Sequence, residues 1–121
     1  MTLAKIIDAL NLKVLTEPID FNEVPLTGGY VSDLLSFVIA GAIKNNIWVT
    51  LQSHMNLIAV AALQELAAVI ITQGAMPDQA TIIKANEEGV TLLSTTKTSF
   101  QIVGELWECG LRTSELIVSD H

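Results

Sequence analysis

Thr50, Thr72 and Ser94 stand 22 residues apart, and each closes a short apolar run. The runs are Ile47-Trp48-Val49, Ala68-Val69-Ile70-Ile71 and Val90-Thr91-Leu92-Leu93, and each is followed by a polar turn and then a helix-patterned segment. Strand–helix units of this length imply parallel strands joined by right-handed crossovers. The expected fold is therefore α/β, a three-layer α/β/α sandwich around a mostly parallel central sheet of about five strands. In such a sheet the strand C-termini share one edge, helix N-termini gather beside them, and ligands bind outside that edge. Three hydroxyl-bearing strand ends should meet there. A strand leaving a core must also end in something polar, so the pattern has a purely structural reading too.

The remaining strands and helices follow from local pattern. Leu3, Ile6, Ile7 and Leu10 mark one face of a first helix ended by Asn11, and Leu12 to Thr16 reads as a first strand. Pro18 makes 17–22 loop or edge, and Val24 to Thr27 reads as a second short strand running into Gly28-Gly29. The glycine pair then reads as a strand-to-helix turn, with Ser32 and Asp33 as helix starters and a broad apolar helix to about Asn45. Leu57 to Ala67 is a helix with almost no polar side, implying heavy burial, and Ala68 to Thr72 a strand covered on both faces. Pro77-Asp78 opens a helix with Ile82, Ile83 and Ala85 inward, stopped by Gly89. Thr98 and Gln101 fit a capping box before a last helix, Phe100 to Cys109, that ends at Gly110. The 121 residues suit one domain over 1–121, with a core of about 3–111 and 112–121 as a C-terminal tail or extra strand.

Composition excludes several classes. Half of the residues are apolar and 16% are charged, the balance of a compact domain. A net charge of −7 with scattered lysines offers no footprint for nucleic acid. The apolar run from Leu57 to Ile71 is too short to span a membrane and is broken by Gln64-Glu65. A single cysteine, Cys109, reads as a structural thiol, and with no signal-like N-terminus the expected compartment is the cytoplasm.

Few groups offer chemistry. His54, between Ser53 and Asn56 in the turn after the Trp48 strand, suits a phosphate contact or proton carriage, or is simply a solvent-facing turn residue. Asp33 either orients a ligand beside Gly28-Gly29 or matches the helix dipole. Thr95-Thr96-Lys97-Thr98 presents hydroxyls and a cation ahead of a helix start. No second His, Cys or carboxylate stands at a metal-ligand spacing, so neither metal nor cofactor is expected. P-loop, dinucleotide-fingerprint and nucleophile-elbow patterns are missing from the sequence. Trp48 and Trp107 read as packing anchors, and Tyr30 as a stacking or dimer-contact residue.

Taken in order, Thr27-Gly28-Gly29-Tyr30, Ser32-Asp33-Leu34-Leu35-Ser36, Ile47 to His54 with Asn56, and Ala61-Ala62-Leu63 resemble the DRTGG domain family. Pro77-Asp78, Lys84-Ala85, Glu87-Glu88-Gly89 and Leu92 to Thr95 extend the likeness from about Leu3 to Leu111. Pro25-Leu26 stand where the family has Asp-Arg, which removes the cation that motif would aim at an anion. The resemblance implies a fold similar to the N-terminal domain of HPr kinase/phosphorylase, whose kinase chemistry resides in a separate domain. It also implies a regulatory role, as in DRTGG domains that accompany phosphotransacetylase or sit between CBS modules in pyrophosphatases and help them dimerise.

The expected function is a non-catalytic regulatory or interaction module, homodimeric, serving a partner enzyme or signalling protein. A mean hydropathy of +0.50 supports a covered surface. Its expected contacts are Tyr30, Leu34, Leu116, Ile117 and Val118. The alternative is a sensor of an adenine nucleotide or other phosphate-bearing ligand at the sheet's C-terminal edge, with Thr27, Gly28, Gly29, Ser32, Asp33, Thr50, Ser53, His54, Asn56, Thr72, Ser94 and Thr96 as candidate contacts. A small phosphotransferase ranks last, because no paired acid and base stands out.

Overall fold

A computed structural model describes residues 1–114. Five strands form one sheet in the order β1-β5-β4-β3-β2: β1 (Lys13–Val14), β2 (Gly28–Val31), β3 (Asn46–Thr50), β4 (Ala68–Ile71) and β5 (Leu92–Ser94). β2 to β5 are parallel, and β1 alone runs antiparallel, on β5. The helices are α1 (Leu3–Leu10), α2 (Leu35–Gly41), α3 (Asn56–Leu63), α4 (Gln79–Glu88) and α5 (Ser99–Glu108), with a short 3₁₀ turn at Phe21–Glu23.

Alternation along the strands splits the core into two layers, as a sheet covered on both faces requires. Ile47, Val49, Ala68, Ile70 and Leu93 face α1 and α5. Trp48, Val69, Ile71 and Leu92 face the side of Val38, Leu57, Ile58 and Ala85, carried on α2, α3 and α4. This is the expected three-layer α/β/α sandwich. No helix among the described residues is long and apolar enough to cross a membrane.

Several local expectations are corrected. The glycine pair lies inside β2, not in a strand-to-helix turn, and the stretch 24–27 before it holds only an isolated bridge from Pro25 to Thr2. Gly28 is required there by close approach: a Cβ would sit 2.6 Å from Ser114 Oγ and 2.7 Å from the Arg112 carbonyl. The chain after α5 runs beside β2, where the Gly29 N–H donates to the Arg112 carbonyl at 3.1 Å.

The helix after β2 is also shorter than its apolar pattern suggests. It spans seven residues, buries only Val38 and has no side-chain cap. Tyr30 fixes it: its ring fills the space that a Cβ on Gly41 would need, and its hydroxyl donates to the Phe37 carbonyl at 3.0 Å. α3 stops at Leu63, and Glu65 turns left-handed with φ 54°. On α4 the inward residues are Thr81 and Ala85, whereas Ile83 is exposed. Trp48 is a fully buried anchor, but Trp107 is half exposed, with Arg112 stacked 3.9 Å above its ring.

Candidate functional site

The 22-residue rhythm does bring its three hydroxyls to one rim. Thr50 pairs with Ile71, and Ile71 with Ser94, across neighbouring parallel strands. The helices that follow begin at the same rim. What the hydroxyls do there differs from strand to strand.

At the end of β3 the Thr50 hydroxyl donates to Asp33 Oδ1 at 2.8 Å, and the same oxygen accepts the Leu51 N–H at 2.9 Å. Asp33 therefore ties the β2 exit to the β3 exit instead of capping α2. Ser32 makes a local turn, its Oγ accepting the Leu34 N–H, while its carbonyl accepts the buried Trp48 indole N–H at 2.8 Å. At the end of β4 the Thr72 hydroxyl donates to the Thr50 carbonyl at 3.3 Å and shares a 2.7 Å bond with Ser99 Oγ. Thr50 and Thr72 are both fully buried. Their polar groups are consumed in holding the rim together, an outcome the sequence reading weighed beside a ligand role.

Three hollows open along the rim. Asp33, Gln52, His54 and Asn56 line one of about 270 Å³. Ser53, His54, Met76, Asp78 and Thr81 line a second of about 280 Å³. Lys13, Gly74, Ser94, Thr96 and Lys97 line a third of about 460 Å³. His54 stands exposed between the first two. Asp78, which the sequence offered only as a helix starter, lines the second hollow with it. Its carboxylate accepts both the Thr81 N–H and the Thr81 hydroxyl at 2.8 Å. The backbone bond, then the hydroxyl bond, and least the His54 charge hold its pKa below the ordinary value.

Thr27, Gly28 and Gly29 belong elsewhere. Gly28 pairs with Asn46 at the start of β3, so these residues sit toward the opposite end of the strands from Thr50. There a buried Asn46, absent from the sequence-derived candidates, gathers three chain segments. Its side-chain amide donates to Thr27 Oγ1 at 2.9 Å and to Ser114 Oγ at 2.6 Å, and its Oδ1 accepts the Ile43 N–H at 3.0 Å. An Asn beside an apolar run was the available signal. Leu116, Ile117 and Val118, expected at a contact between copies, lie outside the described residues. Tyr30 and Leu34 lie on the β2 side, Leu34 exposed. Among the described residues no group of three or more His, Cys, Asp or Glu side chains is placed to hold a metal ion.

No protein-family profile and no curated protein matches this sequence. Among solved structures, the CBS and DRTGG domains of the regulatory region of Clostridium perfringens pyrophosphatase superpose with a TM-score of 0.73 at 16% identity. The match covers 99% of this chain and 55% of that one. The fold is DRTGG-like. The chain thus spans about half of the regulatory region it resembles, which was crystallised with its activator, diadenosine tetraphosphate. At this identity the likeness of the DRTGG-like domain extends to fold, the property its expected family predicted.

Proposed function

We propose that this DRTGG-like domain is a non-catalytic regulatory module that acts as a homodimer joined along the β2 side of its sheet. One observation carries the reading: apolar side chains form an exposed belt there. Val31 on β2 is 53% exposed, Phe37 on α2 57% and Trp107 on α5 54%. Val31, Val103 and Trp107 line one groove of about 150 Å³, and Tyr30, in the same groove, holds the Phe37 carbonyl. Among the described residues no acidic side chain lines that groove, in a chain of net charge −7. Contiguous apolar surface marks a place where another chain packs. A twofold-related copy brings the same belt to meet it.

The lack of catalysis is inferred from commitments at the rim. Asp33 and Asp78, the carboxylates nearest His54 in its two hollows, are engaged in backbone and hydroxyl bonds. Sedimentation velocity tests the dimer: a dimer at micromolar concentration is expected, converted to monomer by Val31→Glu with Trp107→Glu. A monomeric wild type at that concentration refutes it.

A second reading, a sensor of a phosphate-bearing ligand at the rim, is favoured by the three adjoining hollows and by the activator bound to the pyrophosphatase regulatory region. A ligand selective for the folded state raises its melting temperature. A flat response to nucleotides and sugar phosphates removes this reading and leaves the dimer intact.

A further inference from the structure

Adjacent parallel strands whose exit loops leave for opposite faces open a crevice at their C-terminal ends, and this is where open α/β sheets take ligands. Among the described residues there is one such place. β4 leads into α4, which packs on the Trp48 face, whereas β5 leads into α5, which packs on the Ile47 face. The two exit loops are tied to each other, the Gln73 N–H donating to the Lys97 carbonyl at 2.8 Å and the Gly74 N–H to the Thr95 carbonyl at 3.0 Å. Beside them lies the hollow of about 460 Å³.

The chemistry of that hollow is unlike the rest of the rim. Ser94 is 7% exposed, yet its hydroxyl has no hydrogen-bond partner among the described residues. Buried hydroxyls are almost always satisfied, so an orphan one lining a cavity points to an occupant. Two lysines flank it. Lys97 Nζ gives bonds to Glu105 Oε1 at 2.8 Å and to the Leu10 carbonyl at 3.3 Å, which leaves one of its three protons for another acceptor. Lys13 is exposed and is the strand partner of Ser94. Thr96 adds a second, exposed hydroxyl. Donors from two ammonium groups and two hydroxyls suit an oxygen-rich anion with several acceptors.

We propose that this crevice, and not the neighbourhood of His54, binds the phosphate group of a small phosphorylated ligand. The inference rests on the sensor reading and fixes its place and its chemistry. Ser94 accepts or donates at the floor, Lys13 and Lys97 supply charge, and Thr96 closes the solvent side. Glu105 remains on Lys97 and holds it in place.

Inorganic phosphate, ATP and adenosine, titrated into the labelled full chain and followed by amide chemical shifts, form the test. Phosphate and ATP are expected to move Thr95, Thr96 and Lys97, and adenosine to move nothing. Lys13→Glu, at an exposed position, should weaken phosphate binding about fivefold, and Ser94→Ala should weaken it without altering the fold. Shifts centred on His54 and Asn56, unchanged by either variant, overturn this location while preserving a sensor. Absence of binding by phosphate and ATP overturns both. Binding of ATP and adenosine alike, without phosphate, overturns the phosphate assignment.

Discussion

Replacing Asn46 by Ala should cost this domain about as much stability as emptying part of its core, although no core methyl is lost. The side chain is 1% exposed and makes three bonds, one to the backbone before β3, one to Thr27 and one to Ser114. Truncation leaves the Ile43 N–H without its acceptor, at about 1–3 kcal/mol for an orphaned, partly buried donor. Thr27 keeps a second bond, to the Lys44 carbonyl at 2.7 Å, so its loss is the ordinary net value of about 1 kcal/mol. The bond to Ser114 contributes about the same. Because the three share one side chain they do not add fully, and about 3 kcal/mol is expected in total. For a domain of this size that lowers Tm by roughly 10 °C.

Urea unfolding followed by far-ultraviolet circular dichroism measures the difference, and limited proteolysis at Arg112 reports release of the 112–114 segment from β2. Ser114→Ala removes one bond only and should cost about 1 kcal/mol. If Asn46→Ala loses no more than Ser114→Ala, the bonds to Ile43 and Thr27 contribute nothing. The account of Asn46 as a junction of three segments then fails.

Gly28→Ala places a methyl against the Arg112 carbonyl and Ser114, both backbone-anchored, and should destabilise by about 1–3 kcal/mol in a thermal melt. Trp48→Phe leaves the Ser32 carbonyl without the indole N–H and a void in a fully buried position, costing about 2–4 kcal/mol by urea titration. Asp78 has a folded pKa below its ordinary value, so the unfolded chain binds the proton more tightly. Its stabilising effect is complete above the unfolded pKa and is lost as pH falls through the folded one. Asp78→Asn should therefore flatten the dependence of Tm on pH in the acid range, and an unchanged slope would contradict the capping assignment.

The sheet was legible because burial on both faces leaves a mark that turns cannot blur: Ala68 to Ile71 has no polar residue in it, and the hydroxyls that close three of the runs recur at one spacing. What could not be read was how far each element runs and who supplies its last hydrogen bonds. Gly28-Gly29 resembles a turn because glycine is permissive. In the fold the pair makes room for chain some 84 residues downstream, at Arg112 and Ser114. Tertiary approach of that kind leaves no local signal. Thr98 and Gln101 kept half of their expected exchange: Thr98 Oγ1 accepts the Gln101 N–H, but the Gln101 side chain turns to Glu105. The apolar residues of α2 and α5 predict buried faces, and Phe37, Phe100 and Trp107 are exposed instead. Periodicity registers that a side chain is apolar, and it is silent on whether the surface covering it belongs to the same chain.

The rim carries the sharper lesson, because equivalent positions in three successive units have different fates. Thr50 and Thr72 end their strands with hydroxyls that find internal partners: Asp33, at the β2 exit, accepts from Thr50, and Thr72 bonds the Thr50 carbonyl and the Ser99 hydroxyl. Ser94 ends the strand after which the chain changes face. Its exit loop leads to α5 on the opposite face of the sheet, and among the described residues no side chain from another unit reaches its hydroxyl. Among the described residues the Ser94 hydroxyl is thus left facing the crevice. Filling the β5 end with an internal partner would abolish the crevice. Thr96→Asp makes the distinction experimentally: a carboxylate beside Lys13 and Lys97 should stabilise the apo domain modestly and remove phosphate binding altogether. If the variant binds phosphate as the wild type does, the open end of β5 is a consequence of chain direction and nothing more.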